Sequence, residues 1–133
     1  GILSGVLTSL CSVLAMSVFF GLNHKEYATL LPKSITTAIG IGISEELGGI
    51  VTITVAVIII TGILGNVIAD TVFHIFKIKN PLAKGLALGT ASHAIGTARA
   101  IEMGPVEGAM SSLAVAVAGL LTVVFVSGFA QLI

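Results

Sequence analysis

Nine side chains in this sequence are polar or charged inside stretches that are otherwise apolar. Lys33, Ser34, Thr36 and Thr37 lie in one stretch, and Thr90, Ser92, His93, Thr97 and Arg99 in another. A cation in an apolar segment costs ~2.5–3.5 kcal/mol on membrane-insertion scales, so its presence marks a candidate site. Both stretches also carry residues that open helices: Pro32, suited to a first helical turn, precedes Lys33, and Gly89 precedes Thr90 and Ser92. Helix N-termini expose unpaired N–H groups and a partial positive charge, which favour anions. Two such openings with a Lys, an Arg, a His and hydroxyls suit a small carboxylate better than a metal ion. Arg99 offers a planar fork that matches a carboxylate bidentately, and His93 is the group best able to couple protonation to transport near neutral pH.

Each residue also has a reading without a ligand. Lys33 can snorkel to headgroups, His93 can bond a neighbouring helix carbonyl, and Arg99 can pair with Glu102 three residues on. Gly85, Gly89, Ser92 and Gly96 fit helix-packing notches, and Glu46 and Glu102 fit caps at the ends of their segments. Asp70 and His74, four apart, are too few for a metal, and Cys11 is the only cysteine, so neither a disulfide nor a Cys-based metal site can form within the chain. Nothing resembles a nucleophile elbow, a P-loop or a zinc motif. No catalytic residue, metal or cofactor is expected, and the chain reads as a non-enzyme.

The elements that hold these residues belong to a bilayer. The 133 residues are 56% hydrophobic and 9% charged, with mean hydropathy +1.15; soluble domains carry about 25% charged residues. Six basic residues balance six acidic ones, which leaves no basic face for nucleic acid. The chain has no Trp and one Tyr, so the usual aromatic belt is nearly absent. The expected fold is an all-α integral membrane protein forming a single transmembrane domain over 1–133. Transmembrane helices are expected at 1–22, 50–76 and 106–133, each near the ~20 residues a crossing needs. The alternating ~10-residue segments of a membrane β-barrel are missing. Segments 28–49 and 82–105 mix apolar residues with Ser, Thr, Gly and ionisable groups and read as broken or re-entrant helices, which membranes tolerate only where protein or a polar cavity covers them. The start at Gly1, without Met or a signal-peptide pattern, implies the C-terminal part of a longer protein.

The two broken segments resemble each other. Ala38-Ile39-Gly40 and Glu46-Leu47-Gly48 match Ala94-Ile95-Gly96 and Glu102-Met103-Gly104 at a constant offset of 56 residues, and an apolar helix follows each copy. Such duplication marks architecture. If the segments re-enter, the two units are inverted repeats; if they cross, both units point the same way. Charge leaves both open, because either places Lys77, Lys79 and Lys84 on the cytoplasmic side.

Leu31-Pro32-Lys33-Ser34-Ile35-Thr36-Thr37, Leu47-Gly48-Gly49-Ile50, Gly62-Ile63-Leu64-Gly65, the run AKGLALGTASHAIGTARA from Ala83 to Ala100, and Glu107 to Leu113 are similar to the LrgB/CidB family over essentially the whole chain. The run containing GTASHAIGTARA is highly specific. The resemblance implies an antiholin-like or holin-like multi-pass protein of the inner (cytoplasmic) membrane, linked to control of murein hydrolase activity and autolysis. It also implies kinship with the plastidial glycolate/glycerate translocator and with pyruvate movement, in line with the anion argument. The expected partners are the lipid bilayer, a small carboxylate anion, a small LrgA/CidA-type membrane protein and further copies of the chain in a homo-oligomer. The family's basic loop ahead of residue 1 places Gly1 near the cytoplasm, which favours re-entrant segments. One departure is Ala38, where relatives commonly have Pro, so the bend of the first segment is less sharply set. The leading expectation is a transporter of small monocarboxylates of the pyruvate or glycolate type. The alternatives are a non-transporting regulator that assembles with the small partner, and a pore-former.

Overall fold

The structure, a computed structural model, describes residues 1–133. Six helices follow in order: α1 (Ile2–Phe20), α2 (His24–Leu30), α3 (Thr37–Glu46), α4 (Val51–Ile75), α5 (Pro81–Met103) and α6 (Pro105–Ala130). Their ends follow local chemistry. α1 stops at Gly21, which takes the left-handed conformation at φ 66. α2 begins with a capping box between Asn23 and Glu26. Pro81 and Pro105 open α5 and α6, where a missing N–H costs nothing.

α1, α4 and α6 are long and apolar enough to cross a membrane, at 19, 25 and 26 residues. Their lengths, roughly 28–39 Å at 1.5 Å per residue, match or exceed a ~30 Å hydrocarbon core. Phe19, Val67, Leu120 and Val124 point outward and stay exposed, as lipid-facing side chains do. The chain is an all-helical membrane protein with three candidate spans.

α5 is not one helix. His93 has φ 43 and ψ −138, a backbone conformation that reverses the chain. The contacts prove the reversal. A Cβ on Gly96 would lie 2.7 Å from the carbonyl oxygen of Leu88, whereas residues eight apart in a continuous helix are ~12 Å apart. Pairs symmetric about His93 meet the same rungs of α6. Gly89 packs on the Ser111 backbone and Thr97 bonds the Ser111 hydroxyl at 2.8 Å; Gly85 and Ile101 both pack at Glu107–Gly108. The stretches 81–92 and 94–103 are thus two arms of a helical hairpin. Its tip lies beside Ile58 and Gly62 of α4, 13 residues or ~20 Å from that helix's last residue.

Residues 24–46 form a second hairpin, with turns at 31–35 between α2 and α3. Gly49 fits only because it has no side chain, facing the Ser44 hydroxyl and the Thr29 backbone, with N of Thr29 3.0 Å from its would-be Cβ. A relay closes the base of this hairpin: Thr29 Oγ1 accepts from N of Ile50 (2.8 Å), and Thr54 Oγ1 donates to O of Thr29 (2.8 Å) and bonds Ser44 Oγ (2.7 Å). The tip of this hairpin reaches the middle of α1, where Ser34 meets Ser9. It starts from the end of the bundle where α1 finishes and α4 begins, and the α5 hairpin starts from the opposite end. A core of Val6, Leu10, Tyr27, Leu31 and Ile35 joins α1 and the first hairpin to α6. A smaller cluster of Ala69, Phe73, Leu88 and Ala100 joins α4 to the second.

The α5–α6 contact depends on bare backbone. A Cβ on Gly89 would strike the carbonyl oxygen of Ser111 and come within 2.8 Å of the Ala114 methyl, whereas a Cβ on Gly42 meets nothing within 4 Å. Gly89→Ala should therefore destabilise the protein by about 1–3 kcal/mol, and Gly42→Ala should be neutral or slightly stabilising. Thermal unfolding of both variants in detergent checks this.

Candidate functional site

A cleft of about 800 Å³ opens between α1, the tip of the first hairpin, α4 and the 81–92 arm of α5. Its wall combines hydroxyls and small residues with the apolar side chains of Leu64, Ile68 and Leu86. Ser4, Thr8 and Ser12 recur every four residues on one face of α1, with Ser9 beside them; Thr61 comes from α4, and Thr90 and Ser92 from α5. Lys33 is the only charged side chain in the lining. It is half-buried, and its ammonium donates to Ser34 Oγ at 2.9 Å and Ser9 Oγ at 3.3 Å. Neither ion pair in the structure involves Lys33. A positive group held only by neutral hydroxyls, in a segment poor in charge, can take an anion as its partner.

Beneath the cleft lies a void of about 10 Å³ between the two hairpin tips, bordered by Ser9, Ser34, Thr90 and Thr122. That is close to the room of one water. Ser34 and Thr90 border both the void and the cleft. Thr90 is 7% exposed, and its hydroxyl has no hydrogen-bond partner.

The nine residues singled out from sequence divide into two groups. The cleft brings together Lys33, Ser34, Thr90 and Ser92. Thr36 is the N-cap of α3, without a side-chain cap bond, and Thr37 is that helix's first residue; neither reaches the cleft wall. His93 lies at the tip itself, buried at 3% exposure; its Nε2 donates to O of Ile58 at 2.9 Å, and its ring fills the notch left by Gly62, with Cε1 2.7 Å from that residue's would-be Cβ. Thr97 Oγ1 donates to O of His93 at 3.0 Å and bonds Ser111 at 2.8 Å, bracing the turn. Arg99 sits near the end of the bundle, where it pairs with Asp70 of α4 and with Glu102 at 2.8 Å. Its fork is already occupied by carboxylates of the chain, so Arg99 ties the return arm to α4 and is not part of the cleft.

Sequence reasoning passed over the α1 hydroxyls and Thr61. A signal was present: Ser4, Thr8 and Ser12 repeat at the helical spacing of four within an otherwise apolar span. Hydropathy averaging hides such a stripe.

Asp70 and Glu102 are held against each other's charge by Arg99 alone. Arg99→Ala should therefore lower the thermal midpoint in low salt, and ~0.5 M NaCl should reduce the difference by screening the freed carboxylates. Ligand affinity at the cleft should stay within about twofold of the parent. A tenfold loss of ligand affinity with an unchanged midpoint would place Arg99 back in the site.

The family description "LrgB-like family" matches residues 1–132. Among curated proteins, the chain is 43% identical over 127 residues to the antiholin-like protein LrgB of Bacillus cereus (strain B4264), covering 93% of this chain and 55% of that protein. The antiholin-like protein LrgB of Bacillus anthracis (strain A0248) matches with the same identity and coverage. The chain therefore spans a little over half the length of the curated relatives it matches. No solved structure matches it.

Proposed function

The chain belongs to the LrgB-like family, and on that footing we propose that it is the anion-binding part of a cytoplasmic-membrane transporter for small monocarboxylates, of the pyruvate or glycolate type. The observation that carries this reading is the unpaired Lys33 ammonium, set among hydroxyls in a cleft that both hairpin tips approach. A carboxylate entering there meets Lys33, Ser34, Thr90 and Ser92. The reaction is binding and passage, with no bond made or broken, so the protein is not an enzyme and needs no cofactor.

Two further features support the transporter reading. The first is cross-packing between the two sequence copies. Ile95 of the second hairpin enters the notch at Gly62 of α4 (2.8 Å), and Ile39 of the first enters the notch at Gly119 of α6 (2.9 Å). Each hairpin thus also touches the helix of the other copy, while packing more extensively on the helix of its own. Inverted halves with broken helices meeting at the midplane are a common transporter architecture. The second is orientation. Lys77, Lys79, Lys84 and Arg99 lie at the end where α5 starts, against Lys25 at the other, so the positive-inside rule puts the α5 end in the cytoplasm.

The name of the relatives, antiholin-like, favours a second reading: a non-transporting regulator of murein hydrolase activity and autolysis that assembles, as a homo-oligomer, with an LrgA/CidA-type membrane protein. Uptake separates the two. Proteoliposomes containing the full-length protein should accumulate labelled pyruvate or glycolate saturably, and Lys33→Gln should cut the initial rate about tenfold or more. Absence of saturable uptake, with co-purification of the small partner unaffected by Lys33→Gln, would leave the regulator reading standing.

A further inference from the structure

Three helices in this fold stop in the same way. At the ends of α1, α3 and α4, a residue in the left-handed conformation lets two successive N–H groups turn back to helix carbonyls. At α1, N of Gly21 (φ 66) bonds O of Val18, and N of Leu22 bonds O of Ser17. At α3, Gly48 (φ 77) and Gly49 bond Glu45 and Ser44 in the same pattern. At α4 the bonds run from Lys77 to His74 at 3.2 Å and from Ile78 to Phe73 at 2.8 Å, but here the left-handed residue is Lys77, at φ 55. Glycine takes this conformation without strain, and a residue with a Cβ does not. A lysine is thus kept where the backbone would be better served by glycine.

The surroundings of Lys77 supply a reason. Lys77 and Lys79 are exposed, and Lys84 is half-buried with its ammonium 5.8 Å from the centroid of the Phe73 ring. Neither ion pair in the structure involves any of the three. Of the acids at this end, Asp70 and Glu102 are engaged by Arg99, and the Glu107 carboxylate lies beside Gly104 at the α5–α6 corner. Ile75 and Phe76, just ahead of the lysines, are 65% and 71% exposed. Ile78 packs against the cluster of Phe73 and Leu88 and fixes the turn. One short, well-anchored corner therefore offers free ammonium groups and bare apolar side chains together, at the end of a helix long enough to cross a membrane.

We propose that the corner formed by residues 75–84 binds the headgroup of an anionic phospholipid, with Lys77, Lys79 and Lys84 on its phosphate oxygens and Ile75 and Phe76 among its acyl chains. Ammonium groups make charge-assisted bonds to phosphate, and each lysine near an anionic membrane surface strengthens attachment about fivefold. The site lies at the end of the bundle opposite Lys25 and does not depend on what the cleft at Lys33 carries.

The test compares thermal midpoints of the full-length protein in nanodiscs of phosphatidylcholine alone and of phosphatidylcholine with added phosphatidylglycerol. The parent should gain several degrees from phosphatidylglycerol, and the double variant Lys77→Gln, Lys79→Gln should lose at least half of that gain. Lys77→Gly relieves the backbone, so its midpoint in phosphatidylcholine should hold or rise while its gain from phosphatidylglycerol falls. Lys25→Gln, at the other end of the bundle, should keep the full gain. A parent without a gain, a double variant that keeps it, or an equal loss in Lys25→Gln overturns the proposal. So does a Lys77→Gly midpoint that drops equally in both lipids, which would make Lys77 a cation serving only the α4 dipole. Glycerol 3-phosphate reproducing the gain in phosphatidylcholine would assign the corner to a soluble anion and overturn the lipid reading.

Discussion

A peptide chain that turns round inside an apolar bundle exposes N–H and C=O groups where no solvent can take them, and the structure is arranged around that demand. At the second turn, His93 adopts a positive φ that few non-glycine residues tolerate, and the turn is sealed from both sides. The imidazole donates to Ile58 of α4, while Thr97 reaches back to the His93 carbonyl. At the base of the first hairpin, Thr29, Ser44, Thr54 and the backbone of Ile50 form one relay. Side chains stand in for water in both places, and they need neighbours with no bulk of their own. Gly49, Gly62 and Gly89 supply that space.

The site follows from the same arrangement. Two turns held at depth bring Lys33, Ser34, Thr90 and Ser92 to one cleft, although they come from stretches more than fifty residues apart. Once His93 and Arg99 are committed to holding the turn and the return arm, Lys33 remains as the one cation available to a guest. On the reading proposed above, the segment richer in basic side chains serves mainly as scaffold, and Lys33 of the sparser one is the cation the cleft offers.

Much of this was legible in the sequence. The three long helices follow from uninterrupted apolar runs, and the two broken segments from Gly, Pro and hydroxyls placed where a spanning helix would not carry them. Their matching offset of 56 residues raised the expectation of one design used twice. The direction in which individual side chains point was not legible. Arg99 has the right chemistry for a carboxylate, but whether its fork meets a ligand or Asp70 depends on how α4 crosses the return arm, 29 residues away in sequence. His93 has the same ambiguity, since a helix carbonyl and a substrate present the same acceptor. The α1 hydroxyls were hidden because single serines barely change a hydropathy average, although their spacing of four places them on one face.

α6 has a mechanical consequence. It is welded to the second hairpin along Gly85 and Gly89, where side chains are absent and backbones nearly touch. At its far end the Phe129 carbonyl takes the Tyr27 hydroxyl of the first hairpin at 2.9 Å, and midway Gly119 receives Ile39. One rod thus contacts an arm of each hairpin. A substitution that displaced α6 would therefore disturb both hairpins at once, so the two cannot be repacked independently of each other.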